Sequence, residues 1–323
     1  MKVLLTGGAG YLGSVAARYL LDDGHEVTVL DSLLHGGQAL RGLYTYENFR
    51  FIRGDIRSPE DVDRALESAE AVVHLAAIVG DPACARDPDL SRAVNQDAAL
   101  KVFQASQRRR VKRFVFASTC SNYGQMADPS QLATEESALQ PVSLYAETKV
   151  AVEKALLDSQ SPDSPSVTVL RFATLFGLSP RMRLDLTVNE FTADLISKQR
   201  LEVFGQQFWR PYVHVRDAAR AIAQVLNTDE TAIAGQVFNV GDTDQNYQKG
   251  QLVELIRDSI GTPVEITHVR RDEDPRDYRV SFGKIQQQLG FQITRTVADG
   301  IREVTNAIEQ GVISDLEDTS YRN

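Results

Sequence analysis

The sequence predicts an α/β protein: a doubly wound, mostly parallel sheet, followed by a smaller mixed α/β lobe. Three observations predict it. Short apolar runs alternate with helical stretches from residue 2 to residue 177. A glycine-rich turn stands between the first run and the first helix. After Gly177 the alternation loses its rhythm. Continuous apolar strands in β-α order argue for a parallel sheet covered on both faces.

Taken in order, KVLLTG reads as a strand and YLGSVAARYLLDDG as a helix ending at Gly24. HEVTVLD and FRFIRGD are the second and third strands. SPEDVDRALES opens with Ser58 and Pro59, a cap and a first-turn proline, and continues as a helix. AEAVVHLAA is the fourth strand, Asp89 to Arg109 is helical, and VKRFVFAS is the fifth strand. LYAETKVAVEKALLDS is a helix and SVTVLRFATLFG a sixth strand. Beyond it, LSPRMRLDLTVNEFTADLIS holds no clean strand. VRDAARAIAQVLN, QKGQLVELIRDSIG, KIQQQLG and VADGIREVTNAIEQG read as helices, AGQVFNVGD and VEITHV as strands. The last residues, SDLEDTSYRN, are expected to fray.

A chain of 323 residues suggests two lobes or one large α/β unit. A net charge of −9 argues against general nucleic-acid binding, which needs a basic surface. The run Arg108-Arg109-Arg110 sits at a predicted helix end, where cations offset the dipole. Two cysteines, Cys84 and Cys120, make neither a disulfide framework nor a zinc motif, and no metal is expected. The N-terminus lacks the long apolar region of a signal peptide, and no run reaches the ~18 apolar residues of a membrane span. A cytoplasmic, reducing location is expected, with no membrane partner.

Gly7, Gly10 and Gly13 allow a tight turn, close backbone approach to a pyrophosphate and close helix packing. The amides opening the helix, at Tyr11 and Leu12, then face the phosphates. Asp31 ends the second strand, where a carboxylate accepts from ribose hydroxyls and repels a 2′-phosphate, which favours NAD over NADP. Asp55, followed by Ile56 in RGDIRS, can reach an adenine edge. Leu75, Ala76 and Ala77 end the fourth strand with small side chains that let a flat cofactor lie close.

Tyr145 and Lys149 project from one helix face at i and i+4. A free tyrosine, with a pKa of about 10, is a poor base at neutral pH. A nearby ammonium favours the phenolate, which can then exchange a proton with a sugar hydroxyl. Ser118-Thr119-Cys120-Ser121-Asn122-Tyr123-Gly124 places hydroxyls and a thiol at the end of the fifth strand.

Together these parts resemble the extended short-chain dehydrogenase/reductase family, in its nucleotide-sugar epimerase and dehydratase branch. The resemblance runs in order through GGAGYLG, Asp31, GDIR, HLAA, Asn95, STCSNYG, YAETK, LRFATLFG, RPYVHVRDAARA and FNVGD. It implies a Rossmann-type NAD-binding domain over 1–177, with segments near 210–241 returning to it. Residues 178–323 then form mainly a lobe holding a nucleotide diphosphosugar. It implies a catalytic Thr119, Tyr145 as acid/base with Lys149 as its partner, and Asn95 at the cofactor. Thr119, Cys120 and Ser121 then border the sugar. Arg210 looks like the family's diphosphate arginine, and Arg276 in DPRDYR is a second candidate. Thr174 stands where many relatives carry asparagine. Arg181 and Arg183 read either as substrate contacts or as solvated loop charges. A homodimer through the helices 89–109 and 144–159 is implied as well.

Family 4,6-dehydratases carry Asp-Glu after the threonine; here Cys120 and Ser121 replace them, and neither is a strong acid for a leaving hydroxide. The resemblance therefore points to NAD-dependent epimerisation, most simply at C4. A second reading is a 4-ketoreductase, or an epimerase or dehydratase at C3 or C5 in which a Cys120 thiolate serves as base. Cys120 can equally be a packing residue. A regulator that binds NAD without catalysis is the reading from another class. Cys84 borders the sugar pocket without assigned chemistry, and His74 and His214 read as structural.

Overall fold

The computed structural model describes residues 1–126, 128, 131–159, 161, 164–261, 263–269 and 276–323. Six of the expected elements form in sequence at the start: β1 (Lys2–Thr6), α1 (Tyr11–Asp22), β2 (Glu26–Asp31), β3 (Phe49–Arg53), α2 (Pro59–Ala65) and β4 (Ala71–His74). The Ser58 hydroxyl accepts from the Asp61 amide, so α2 starts at the proline, where no amide is lost from the ladder.

Two short helices follow, α3 (Asp81–Arg86) and α4 (Pro88–Arg92). A π turn, Ala93–Ala98, joins α4 to α5 (Ala99–Arg108). The stretch expected as one helix is thus continuous but widened at Asn95, as π turns often are near functional residues. Then come β5 (Arg113–Thr119), α6 (Leu144–Asp158) and β6 (Ser166–Phe172). The expected strand 166–177 is two strands. Ala173 makes a last bond to Val240, and the chain leaves the sheet as β7 (Thr174–Phe176).

The remaining elements are α7 (Thr187–Lys198), β8 (Arg200–Phe204), β9 (Trp209–His214), α8 (Val215–Asn227), α9 (Glu230–Ile233), β10 (Gln236–Val240), β11 (Asn246–Gln248), α10 (Lys249–Ile260), β12 (Glu265–Val269), α11 (Gly283–Leu289) and α12 (Val297–Glu309). α7 falls in the stretch that held no clean strand, and β8 follows it directly. The large sheet runs β10-β6-β5-β4-β1-β2-β3, with every neighbouring pair parallel. Its order reverses between β1 and β4, the crevice where open α/β sheets bind ligands. Of the segment 210–241, β10 edges this sheet and α8 packs on α1, whereas β9 joins β7 and β11 in a three-stranded sheet. β12 and β8 pair apart from both. A separate apolar cluster of Phe176, Val188, Leu195, Tyr212, Leu252 and Ile301 fills this second lobe. Among the described residues no helix is long and apolar enough to cross a membrane.

The C-terminal segment does not fray as expected. Leu184 N–H donates to the Tyr321 carbonyl at 2.8 Å, and Asn323 N–H to Asp185 Oδ2 at 3.2 Å. Asn323 Nδ2 reaches the Val79 carbonyl at 3.2 Å. The polar composition that suggested fraying is satisfied by two loops of the fold.

Between β5, β6 and α6 lies a buried ion pair, Arg171 with Glu153, only 5% and 2% exposed in their side chains. Arg171 Nε donates to Glu153 Oε1 at 3.0 Å. Removing one partner of such a pair strands the other charge in the core. Glu153→Ala is therefore expected to cost about 3–5 kcal/mol of folding free energy, read as a lowered urea midpoint. A loss below about 1 kcal/mol would mean that water reaches Arg171.

Candidate active site

The turn after β1 is shaped by the crowding at its glycines. Gly7 has φ +74°, and a Cβ there would lie 2.7 Å from Ala76 N, at the end of β4. A Cβ on Gly13 would lie 2.1 Å from the Gly7 carbonyl, so α1 sits directly on the turn. Gly10 precedes the helix and supplies no side-chain cap. The first-turn amides at Tyr11 and Leu12 thus form an uncapped helix N-terminus, the arrangement that takes a phosphate. The Tyr11 side chain is occupied elsewhere: its hydroxyl donates to the Gly177 carbonyl at 2.6 Å, and burial pushes its pKa up.

Asp31 accepts from Ala9 N–H at 3.0 Å and Leu33 N–H at 2.8 Å. Each oxygen keeps a further acceptor position, enough for ribose hydroxyls. Burial pushes this carboxyl up, against the pull of both amides. The cradle fits a dinucleotide. Asp55 is less available than expected, because Arg57 Nη2 holds it at 2.6 Å and keeps its pKa down. Ile56 is buried in the core under α2 and leaves only its backbone to a ligand. Leu75, Ala76 and Ala77 are half-buried at the β4 end.

Asn95 is not a free cofactor contact. Its side chain accepts from Ile78 N–H at 2.7 Å and donates to the Ile78 carbonyl at 2.9 Å. It therefore clamps the loop after β4 from the π turn. Cys84 supports the same loop, donating from Sγ to the Ile78 carbonyl at 3.3 Å. His74 shares a bond with Thr6 Oγ1 at 2.9 Å, and burial holds its pKa down at about 3.

β5 ends at Thr119, whose Oγ1 accepts from Ser121 N–H at 3.1 Å and caps a short turn, Cys120–Tyr123. That bond leaves the Thr119 proton for another acceptor. Ser143 caps α6 through Ala146 N–H. Tyr145 is half-buried on the first turn of α6, and Lys149 is 2% exposed one turn later. Lys149 Nζ donates to the Ala117 carbonyl at 2.8 Å and lies 5.9 Å from the centre of the Tyr145 ring. Burial lowers Lys149 to about 8. The expected shift toward phenolate does not follow. Burial, aided by Cys84, pushes the Tyr145 phenol up while Arg183 pulls it down. The ammonium is turned to Ala117.

Cys120 departs from the role of base. Its thiol is 1% exposed and donates to the Arg171 carbonyl at 3.2 Å. Burial pushes it well above the usual thiol range, with the Arg171 guanidinium opposing. Arg181 and Arg183 are buried, so neither is a solvated loop charge. Arg183 pairs with both oxygens of Asp185, at 2.9 and 2.8 Å. Arg181 donates to the Arg322 carbonyl at 3.0 Å, and burial lowers it to about 10. Arg210 is buried, donates to the Trp209 carbonyl at 2.6 Å and lies 5.6 Å from the Tyr278 ring centre. Arg276 pairs with Asp81 at 2.8 Å, across from the lobe to the loop after β4. Asp274 and Pro275 of the same stretch lie outside the described residues. Thr174 is half-buried in β7, in register with Tyr212.

Four residues of this region were missed from sequence. Glu153 continues the Tyr145–Lys149 stripe by one more turn and receives Ser118 Oγ–H at 2.9 Å. The i, i+4 spacing could have found it. Arg171 sits in the LRF run and bonds Tyr123 Oη at 2.9 Å. Asp81 and Tyr278 carry no local signal, because their partners are distant in sequence.

Residues 3–241 match the model of the NAD dependent epimerase/dehydratase family. A UDP-glucose 4-epimerase from Corynebacterium glutamicum is 30% identical over 308 residues, 90% of each chain. A dTDP-glucose 4,6-dehydratase from Streptomyces niveus is 31% identical over 323 residues, 94% of this chain and 91% of the other. Among solved structures, a dTDP-glucose 4,6-dehydratase from Streptomyces venezuelae with NAD bound superposes with a TM-score of 0.86 at 27% identity. That match covers 98% of this chain and all of the other. Epimerases and dehydratases are thus alike at similar distance, in fold and in sequence. The glycine cradle, the Thr119 turn and the Tyr145–Lys149 helix belong to a chain of the NAD dependent epimerase/dehydratase family.

Proposed function

We propose that the protein is a nucleotide-sugar 4-epimerase that works through a 4-ketosugar. The observation that carries this reading is the chemistry beside Thr119. Cys120 is buried and bonded to Arg171, and Ser121 is an alcohol, so neither of the two positions after Thr119 supplies a strong acid or base. A 4,6-dehydration needs such a pair; inversion at C4 does not.

In this reading the first-turn amides of α1 hold the pyrophosphate of NAD, Asp31 its adenine ribose and Lys149 its second ribose. NAD, when bound, supplies a reversible hydride acceptor. Arg210 and Arg276 hold the sugar diphosphate. Thr119 would donate to the 4-oxygen, and Tyr145, ionised by the positive nicotinamide ring of bound NAD against the effect of its burial, would take the 4-hydroxyl proton as the ketone forms and give it back on reduction. The ketosugar turns between these events, so the hydrogen at C4 ends on the other face. The charge of Arg183 opposes the effect of burial on Tyr145. Cys120 is a packing residue in this scheme.

Three outcomes are expected. In D2O, proton NMR of the enzyme with UDP-, dTDP-, GDP- and CDP-sugars gives a 4-epimer with no ring deuterium. Deuterium at C3 or C5 would refute internal return at C4 and turn attention back to a base. Tyr145→Phe lowers kcat by about 100-fold or more while NAD stays bound; retained activity removes Tyr145 from the chemistry. The third concerns pH. The folded protein holds Lys149 below its ordinary pKa, so the unfolded chain binds more protons between about pH 8 and pH 10.5. Over that window the Lys149 contribution makes stability rise with pH. Urea unfolding of dinucleotide-free protein is expected to show Lys149→Met more stable than wild type at pH 7. That advantage shrinks by pH 10; an advantage constant with pH rules out a titrating Lys149.

A further inference from the structure

We propose that Tyr278 is a positioning residue that couples the diphosphate arginines to the Thr119 hydroxyl. The proposal rests on the reading of Arg210 and Arg276 as diphosphate contacts. Tyr278 is 2% exposed and comes from the second lobe, yet it reaches the catalytic turn. Its hydroxyl shares a hydrogen bond with Ser121 Oγ at 3.2 Å. Ser121 N–H in turn donates to Thr119 Oγ1 at 3.1 Å. On the other side the Arg210 guanidinium lies 5.6 Å from the Tyr278 ring centre, within cation–π range. Arg276 is two residues away along the chain. A continuous set of contacts therefore runs from Arg210 through the Tyr278 ring and hydroxyl to Ser121 and Thr119.

The ring has little freedom of its own. Its flanking residues are tied to the chain that follows the catalytic turn. Met126 N–H donates to the Asp277 carbonyl at 3.0 Å, and Asp277 N–H to the Gly124 carbonyl at 3.2 Å. Ala133 N–H donates to the Arg279 carbonyl at 2.8 Å. A buried phenol held in this way cannot exchange Ser121 for water without cost. An anion that draws Arg210 changes what the ring faces. The ring passes that change to the one side chain it bonds in the catalytic turn. Thr119 needs this turn, because Ser121 N–H occupies one of its lone pairs and so directs its proton. The coupling is expected to leave diphosphate affinity nearly intact and to act on the order of the turn.

Amide hydrogen exchange of residues 119–124 tests this, with UDP, dTDP, GDP and CDP added in turn to the NAD-loaded enzyme. In wild type, the diphosphate that binds is expected to slow exchange in this segment by about fivefold. In Tyr278→Phe, which keeps the ring against Arg210, that slowing disappears while calorimetric affinity stays within about twofold. Ser121→Ala, which removes the other end of the bond, gives the same loss. With a nucleotide sugar that wild type turns over, each variant lowers kcat about tenfold with little change in KM, and the double variant is no worse than either alone. A merely structural tyrosine would lower melting temperature and diphosphate affinity together, which overturns the proposal. Equal slowing in wild type and in both variants also overturns it and leaves the 4-epimerase reading standing. If none of the four diphosphates binds wild type, that reading fails, and this proposal with it.

Discussion

The Arg171–Glu153 pair is the interaction on which the Thr119 end of the site depends. Two charges lie where the sheet, α6 and the turn after Thr119 meet, and their desolvation is offset only if every remaining donor and acceptor is matched. The matching groups are those that shape the site. Glu153 receives Ser118, which is also bonded by Asn122 at 3.0 Å. Arg171 bonds Tyr123, which passes a bond to Asn239 at 2.7 Å, and the Arg171 carbonyl takes the Cys120 thiol. Ser118, Cys120, Asn122 and Tyr123 are thereby tied to β6, β10 or α6. The hydroxyls of Thr119 and Ser121 stay out of this network, and that of Ser121 goes to Tyr278 instead.

The same logic weighs against the Cys120 thiol as a base. A thiolate at Cys120 would sit in a nearly closed polar network with no partner for a second negative charge. The Arg171 guanidinium is already matched by Glu153 and Tyr123. Burial therefore decides against the nearby cation. Burial disfavours the charged form of Lys149 as well. Desolvation lowers it to about 8, although its ammonium keeps the Ala117 carbonyl and the ring faces of Phe116 and Tyr145.

Polar contacts bring distant parts of the chain together near the site. Asn95 clamps Ile78 from the π turn, Asp81 meets Arg276 of the second lobe, and Asn323 bonds Val79. Arg183 is held by Asp185, whose other bond goes to the Asn323 amide. The Asp81–Arg276 and Asn323–Val79 contacts thus tie the second lobe and the C-terminal segment to the chain that follows β4.

The sequence by itself determined the parallel sheet, the glycine turn, Asp31 and the Tyr145–Lys149 stripe. Each is written in a local pattern: an apolar run, a spacing that only glycines satisfy, or one helix face. The break of the sixth strand at Ala173, the burial of Arg181 and Arg183, and the docking of the C-terminal segment were not legible. Their causes include partners distant in sequence, such as Tyr212 for Thr174, Tyr321 for Leu184 and Arg322 for Arg181. Only the tertiary structure decided that Cys120 faces Arg171 and that Tyr278 meets Ser121. A residue's type states which bonds it can make; which bond it makes is fixed by the groups that folding brings within about 3 Å of it.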